Sequence, residues 1–268
     1  MRKVWKVIAL LACVCLVLGA FAGCSSTETP ATPSASPSTS PAAAEEDVIV
    51  MGTNAEFPPF EYVTDQGLVD KFDGIDVAIA QEIANSLGKT LKIENMEFDS
   101  LITALATGKV DFVAAGMTVT PDRTENVDFS DTYYSAKQVM IVKEGSDIKS
   151  SADLEGKNIG VILGYTGDTT VTEDLGYSPE RYKKGADAVM DLVNGRLDVV
   201  VIDSAPAQAF VEKNPGLTIV EDAEAFEQEE YAIAVQKGDS ELLGQINDVL
   251  AELKENGKIE EFGEKYSE

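Results

Sequence analysis

The sequence predicts an α/β protein built from two similar lobes. From about residue 47 onward, strand-like and helix-like hydrophobic patterns alternate, which is typical of a mostly parallel sheet covered by helices. A pattern also recurs, because "LATGKVDFVAAG" (105–116) and "LVNGRLDVVVID" (192–203) share Leu, Gly, a cation, an apolar residue and Asp in register. Two helix–turn–strand joints can look alike by chance, but either way each half contains the same unit. About 220 residues remain for this body, enough for one large lobe or two small ones.

The first residues form a targeting segment. Three cations precede an apolar run over 7–21 that is too short for a typical membrane-spanning helix. The run ends in "FAGCSS", which resembles the lipobox of bacterial lipoproteins, although Phe21 departs from the usual Leu. The resemblance implies that 1–23 is a lipoprotein signal peptide and that Cys24 carries a lipid. An ordinary signal peptide or an uncleaved anchor is the alternative.

Residues 24–46 are predicted to be a disordered tether. The segment is rich in Ser, Thr, Pro and Ala, and it has almost nothing to bury that could offset chain entropy. Extended at roughly 3 Å per residue it could reach about 70 Å. The folded body is expected to begin near Asp47.

Composition excludes several classes of function. The chain has 21 Lys and Arg against 47 Asp and Glu, so a net charge of -26 argues against binding nucleic acid or anionic membrane surfaces. Without His there is no Ser-His-Asp triad and no His-ligated zinc. Cys13 and Cys15 lie in the apolar run and Cys24 in the lipobox, so the body has no disulfide or thiol nucleophile. We expect no cofactor and no metal.

Local patterns place the elements of the first half. "DVIVMGT" predicts a strand stopped by Gly52, and "GIDVAIAQEIANSLGKT" predicts a helix that ends at Gly88. "LKIENMEF" predicts a strand. "FDSLITALATGK" predicts a helix capped by Asp99 and ended at Gly108, and "VDFVAAGM" predicts another strand.

The second half repeats this alternation. "KNIGVILG" and "LDVVVID" predict strands, and "VMDLVNGR" predicts a helix that ends at Gly195. "DSELLGQINDVLAELKENGK" predicts a long amphipathic helix with Gly257 just past its end. The acidic runs "EEDVIV" and "EQEEY" lack the spacing of a calcium loop and are interpreted as solvated.

The strand ends carry the candidate binding residues, because ligands of open α/β sheets bind beyond the carboxyl ends of the strands. Arg123 offers a planar, bidentate donor suited to a carboxylate, and Pro121 is expected to start the short helix that aims it at these ends. Asp203 follows an apolar run, where an unpaired charge is costly. The two residues match the carboxylate and ammonium of a free amino acid. The alternatives are a structural salt bridge for Arg123 and a helix cap for Asp203.

Other residues at these ends suit a small polar ligand. Gly116 lets the backbone approach closely, and Thr118 and Thr166 supply hydroxyl and N–H groups. Phe57 and Phe98 could enclose a ligand side chain, although ordinary core packing explains either ring as well.

Several blocks in order resemble the extracytoplasmic solute-binding proteins of family 3, the polar amino-acid receptors of ABC importers. They include "GTNAEFPPFEY", "FDGIDVAIAQEIANSLG", "VAAGMTVTPDRTENVDFSDTYY" and "ENGKIEEFGEKY", and the similarity covers 47–268. The resemblance implies a periplasmic-binding-protein-like fold with a hinge and an interlobe cleft. Lobe 1 would span about 47–137 plus 232–268, and lobe 2 about 138–231. A monomer, lipid-anchored at the outer face of the bacterial cytoplasmic membrane, would present its ligand to the permease subunits and, through them, to the ATPase.

The resemblance also implies roles for single residues. Arg123 would hold the ligand carboxylate with help from Thr118 and Thr166. Asp203 would hold the ammonium, and Gly116 would offer its backbone. The complete set of implied ligand-binding residues is Asn54, Phe57, Phe98, Gly116, Thr118, Arg123, Thr166 and Asp203.

The identity of the ligand side chain and two other classes of function stay open. Asn54 stands where many relatives have Asp, which weakens the case for Lys or Arg as ligand without excluding it. Ile162 stands where glutamine receptors tend to carry Lys, so glutamine is not supported. Some proteins of this fold are dehydratases, and Glu61 and Glu82 are candidate acid/base groups, although both are interpreted as surface or turn residues. A purely structural lipoprotein is the third possibility.

Overall fold

The structure is a computed structural model, and it describes residues 47–267. The strands are β1 (Val48–Thr53), β2 (Glu56–Phe57), β3 (Glu61–Val63), β4 (Phe72–Asp73), β5 (Thr90–Asn95), β6 (Phe112–Val113), β7 (Val127–Phe129), β8 (Tyr134–Lys143), β9 (Ile159–Ile162), β10 (Glu180–Tyr182), β11 (Val199–Asp203), β12 (Leu217–Val220), β13 (Gln228–Tyr231) and β14 (Ala234–Gln236). The helices are α1 (Ile75–Ser86), α2 (Leu101–Ala106), α3 (Pro121–Thr124), α4 (Thr166–Thr169), α5 (Gly185–Val193), α6 (Ser204–Lys213), α7 (Ser240–Glu255) and α8 (Lys258–Tyr266). The predicted signal peptide, the lipidation site Cys24 and the tether lie outside the described residues.

Two sheets form the framework of the body. The first has the order β5-β1-β6-β14-β7, and the second has the order β10-β9-β11-β8-β12, with β13 also paired to β8. In each sheet the first three strands are parallel and the fourth runs antiparallel to both of its neighbours. The two sheets therefore share one strand order and one set of directions, which confirms the predicted α/β class with two lobes.

The recurring sequence pattern marks equivalent units in the two sheets. In the first, α2 leads into β6, which lies beside β1; in the second, α5 leads into β11, which lies beside β9. The turns contain Gly108 and Gly195, whose φ angles of 69° and 75° fall in the left-handed region that glycine adopts at low cost. The pattern therefore reflects equivalent backbone conformations at equivalent places.

Helix α1 anchors the core of the first half. Ile75, Ile79 and Ile83 repeat at four-residue spacing and are at most 1% exposed, and the helix packs against α7 and α8. Burying each of these side chains is worth about 1.5–3 kcal/mol. The predicted helix is confirmed. The long helix α7 is also as predicted, and the Asp239 side chain caps it by accepting a bond from the Leu242 N–H at 3.1 Å.

Some local predictions are wrong or incomplete. Asp99 is not a helix cap, because it lies inside a 3₁₀ turn (Phe98–Ser100) before α2 and makes no cap hydrogen bond to it. Strand β6 is shorter than the apolar run "VDFVAAGM", since only Phe112 and Val113 pair with β1 before the chain leaves the sheet. Helix α8 was not expected.

No helix within 47–267 is both long enough and apolar enough to cross a membrane.

Two adjacent segments connect the sheets. The start of β8 pairs antiparallel with β13, in a register that runs from Gln228 opposite Lys137 to Tyr231 opposite Tyr134. Beyond this pair, β8 continues into the second sheet, and the chain after β13 returns to the first sheet as β14. The lobe boundaries at 137/138 and 231/232 fall on or beside these segments, and they stay a prediction.

Candidate functional site

The carboxyl ends of strands from both sheets line one small cavity. Its lining residues are Phe57, Phe98, Ala115, Gly116, Thr118, Arg123, Tyr165, Thr166 and Asp203. The structure thus brings together every predicted ligand-binding residue except Asn54. Their role in binding stays a prediction, but their convergence follows from the strand topology.

Arg123 is held at the cavity by a short helix, as expected. Pro121 is the first residue of α3, and the Thr120 hydroxyl caps the helix by accepting a bond from the Arg123 N–H at 3.3 Å. The Arg123 side chain donates from Nη1 to the Thr118 carbonyl oxygen at 2.7 Å and from Nη2 to the Gly164 carbonyl oxygen at 3.0 Å. The guanidinium therefore bridges a loop of the first sheet and a loop of the second.

The guanidinium of Arg123 is in direct contact with no carboxylate of the described residues. Within residues 47–267 it forms no ion pair shorter than 4.0 Å, so the alternative of a structural salt bridge is not observed. Its guanidinium carbon lies 5.2 Å from the centre of the Phe98 ring, a cation–π contact. Burial lowers the pKa of Arg123, while the charges of Asp203 and Glu229 oppose that shift. Its remaining N–H groups are available to an anionic ligand.

Asp203 ends strand β11 and is 3% exposed. Its Oδ1 accepts a hydrogen bond from the Tyr231 hydroxyl at 2.6 Å. It occupies the cap position of α6, but its carboxylate accepts no bond from that helix, so the cap interpretation is wrong. Burial, followed by the negative charge of Glu229, raises the pKa of Asp203 to about 7, and the Tyr231 hydrogen bond opposes the rise.

Gly116 is fixed by backbone geometry and by a buried carboxylate. Its φ angle is 52°, and a Cβ at this position would lie 2.4 Å from Cε1 of Phe57, so no side chain fits. Its N–H donates to Asp76 Oδ2 at 2.8 Å. Of its two backbone polar groups, only the carbonyl is left for a ligand.

Asp76 forms a buried carboxyl pair with Glu61. Asp76, in the first turn of α1, also accepts a bond from the Tyr133 hydroxyl at 2.8 Å, and both carboxyl side chains are fully buried. The interpretation of Glu61 as a surface or turn residue is therefore wrong, whereas Glu82 lies half-buried on α1, outside the cavity lining. Burial and the Asp76 charge raise the pKa of Glu61 well above its usual value, and burial raises the pKa of Asp76 to about 6. Both Glu61 oxygens and Asp76 Oδ1 have no hydrogen-bond donor among the described residues, and a proton on one of the two carboxyl groups would supply one.

We expect the stability of the ligand-free protein to fall as pH rises through the range in which this pair loses its proton. A folded-state pKa above the unfolded value means that the folded protein binds more protons, so this contribution is present at about pH 4 and is lost through about pH 6 and above. The slope is at most about 1.4 kcal/mol per pH unit for one proton. Glu61→Gln, which stays neutral, should melt with a shallower dependence on pH than the wild type. Calorimetry from about pH 5 to 8, with Glu82→Gln as control, checks this, and parallel curves for wild type and Glu61→Gln would contradict it.

Three aromatic rings form one wall of the cavity. Tyr165 packs edge-on against Phe98 and Phe57, with ring centres 4.6 Å and 5.3 Å apart. Both Phe rings also belong to the buried core, so each ring packs in the core and lines the cavity as well. Sequence reasoning did not select Tyr165, although its place between Gly164 and Thr166 at a strand end was a usable signal.

Asn54 lies behind this wall instead of lining the cavity. It is 4% exposed, its Nδ2 donates to the Met96 carbonyl oxygen at 2.9 Å, and its Oδ1 accepts a bond from the Tyr165 hydroxyl at 3.2 Å. The amide is thereby committed to protein partners. Asn54 therefore contacts the cavity lining through Tyr165.

The two threonines share a partner that sequence reasoning missed. Glu229 Oε2 accepts hydrogen bonds from the hydroxyls of Thr118 at 2.7 Å and Thr166 at 2.8 Å. Gln138 Nε2 donates to the Thr166 hydroxyl oxygen at 3.0 Å and to Glu229 Oε1 at 3.2 Å. The interpretation of "EQEEY" as a solvated run is therefore wrong for Glu229, which is half-buried behind the cavity.

Known proteins resemble the chain over nearly all of the described body. Residues 49–268 match the family model of the bacterial extracellular solute-binding proteins, family 3. The arginine-binding extracellular protein ArtP of Bacillus subtilis is 37% identical over 223 residues, which are 81% of this chain and 85% of that protein. A probable histidine-binding protein of Neisseria gonorrhoeae is 36% identical over 270 residues, covering 98% of this chain and 95% of that one.

Solved structures resemble it as well. The substrate-binding protein of an amino acid ABC transporter superposes with a TM-score of 0.77 at 40% identity, covering 82% of this chain and 98% of that chain. The holo form of ArgBP from T. maritima superposes with a TM-score of 0.71 at 45% identity, covering 78% of this chain and 91% of that one.

Proposed function

Because the chain belongs to the bacterial extracellular solute-binding proteins of family 3, we propose that it is the amino-acid receptor of an ABC importer. It captures a zwitterionic, polar amino acid in the cavity between its two sheets. The observation that carries this proposal is the relation between Arg123 and Asp203. Both side chains line the same cavity, and the charge of Asp203 opposes the lowering of the Arg123 pKa by burial, yet the two side chains form no ion pair. A ligand with a carboxylate at one end and an ammonium at the other satisfies both charges.

The other polar groups supply the remaining contacts. The backbone N–H groups of Thr118 and Thr166 have no acceptor within residues 47–267, so they can join Arg123 in binding the carboxylate. The Gly116 carbonyl can join Asp203 in accepting bonds from the ammonium. The aromatic wall of Phe57, Phe98 and Tyr165 then packs against the ligand side chain.

Ligand access requires the sheets to separate. Several hydrogen bonds cross the cleft: Arg123 to Gly164, Tyr165 to Asn54, and Lys184 Nζ to Glu56 Oε1 at 2.6 Å. We infer that the paired segments β8 and β13 act as the hinge and that a bound amino acid stabilises the closed form. The permease subunits recognise the closed form of the monomer and, through them, the ATPase responds to it.

Titration calorimetry against the twenty amino acids, with ornithine and cystine, tests the function. Proteins similar to this chain are named as binding arginine, histidine, cystine or glutamine. We expect saturable binding of at least one amino acid at one site per chain, with the ligand recovered unchanged. Conversion of the ligand would support an enzyme, and the absence of any binding would support a purely structural lipoprotein.

We further propose that Cys24 anchors the protein by a lipid at the outer face of the cytoplasmic membrane, on the basis of "FAGC" and the Ser/Pro-rich segment after it. Cys24→Ala is expected to leave a precursor without lipid that retains its signal peptide. Metabolic labelling with a fatty acid and the mass of the protein check this. Normal lipid label on the variant would show that another residue is modified.

A further inference from the structure

We propose that Glu229 makes the cavity selective for amino acids whose side chain carries a positive charge; this inference rests on the proposed function. Glu229 lies on β13, one of the two segments that connect the sheets. It does not line the cavity itself, but it binds the hydroxyls of two residues that do, Thr118 and Thr166. Glu229 is thus a positioning residue that acts through these hydroxyls and through its charge.

The first argument is the charge balance of the site. Among the described residues that line the cavity, Arg123 is the one cation and Asp203 the one anion. A zwitterionic amino acid neutralises both and leaves no cation to balance the half-buried Glu229 carboxylate behind the two threonines. An amino acid with a net charge of +1 balances the charges of Arg123, Asp203 and Glu229 together. Because uncompensated charge is costly away from water, the site favours the cationic ligand.

The second argument is the direction of the hydroxyl hydrogen bonds. Each threonine hydroxyl has one proton, and Glu229 Oε2 accepts both of them. The Thr166 oxygen also accepts a bond from Gln138, which fixes its orientation. Both hydroxyls can therefore meet a ligand only as acceptors. Acceptors stabilise an ammonium or guanidinium group, and they offer no donor to a neutral carbonyl or a carboxylate.

Two further observations agree. The charge of Glu229 is the second cause of the raised pKa of Asp203, so the two carboxyl groups share an excess of negative charge. Asn54, at a strand end beside the site, is neutral and already bound to Met96 and Tyr165. Glu229 therefore supplies a negative charge that can balance a ligand side chain.

Calorimetric titration with arginine and with citrulline, its neutral and nearly isosteric analogue, tests the proposal. We expect the wild type to prefer arginine and Glu229→Gln to lose about tenfold or more of that preference, equivalent to about 1.4 kcal/mol. Glu229→Asp, which keeps the charge, should retain the preference. The matched control is Glu230→Gln on the same strand, since Glu230 contacts Ser135 and Gln228 outside the cavity.

The outcomes separate the proposals. If the wild type binds no amino acid, the proposed function itself fails. If it binds amino acids but prefers neutral ones, or if Glu229→Gln keeps the wild-type ratio of arginine to citrulline affinity, the role of Glu229 is overturned while the function stands. Equal losses for both ligands would mean that Glu229 only supports closure of the cleft, and they too would overturn the proposal. Melting curves show whether each variant is folded.

Discussion

Arg123→Ala is expected to weaken amino-acid binding by about 2–5 kcal/mol, which is roughly 30-fold to several thousand-fold in affinity. The guanidinium is held by two carbonyl oxygens and a ring, with no carboxylate in contact among the described residues, so the ligand would be its anionic partner. Removing it leaves the ligand carboxylate buried without its cation. Titration calorimetry with the amino acid that binds most tightly measures the loss.

Two further variants define the role of Arg123. Arg123→Lys should be nearly as harmful, because an ammonium cannot contact two carbonyl oxygens and a carboxylate with a planar fork. Arg196→Ala removes an exposed Arg that pairs with Asp191 and does not line the cavity, and it should bind as the wild type does. Wild-type affinity in Arg123→Lys would refute bidentate binding, and wild-type affinity in Arg123→Ala would place the ligand elsewhere.

Asp203→Asn is expected to weaken binding at about pH 8 by about 1.5–3 kcal/mol, or about tenfold to more than a hundredfold. The change keeps the size of the side chain but removes the charge that pairs with the ligand ammonium. The deaminated analogue of the ligand lacks that ammonium, so it should bind the wild type weakly and lose little more in the variant. The ratio of the two affinities is the measurement that isolates the ammonium contact.

The pH dependence of binding gives an independent readout. The pKa of Asp203 is raised to about 7, and a bound ammonium lowers it, so binding is favoured above pH 7 and is opposed by protonation below it. Wild-type affinity should fall by up to about tenfold per unit below pH 7, and this dependence should flatten in Asp203→Asn. A variant that melts at a lower temperature but keeps both the affinity ratio and the pH profile would show that Asp203 has only a structural role.

Local patterns were sufficient for slightly fewer than half of the strands and helices and for the charged ends of the site. The spacing of Ile75, Ile79 and Ile83 requires one buried helical face. The turns at Gly108 and Gly195 end their helices through local backbone conformation, without any contact to a distant segment. Arg123 could be placed because Pro121 and Thr120 start its helix locally. Features that depend on neighbouring residues in the chain are readable from the sequence.

The missed features depend on contacts between distant segments. Glu229 meets Thr118 and Thr166 only because β13 pairs with β8, and an acidic run carries no sign of that pairing. Asn54 turns away from the cavity because Met96 and Tyr165 bind both atoms of its amide. No periodicity specifies these partners, so the polar network behind the cavity required the structure.

The return of the chain to the first sheet also determines the order in which the two halves of the protein can fold. Strand β14 lies between β6 and β7 and pairs with both, so the first sheet is incomplete until residues 234–236 have emerged. All strands of the second sheet come from residues 134–231, which are contiguous in the chain. During synthesis or export the second half can therefore finish folding first, while the first half waits with the partner faces for α7 and α8 exposed. A chain interrupted after β13 would carry a finished half and an aggregation-prone one.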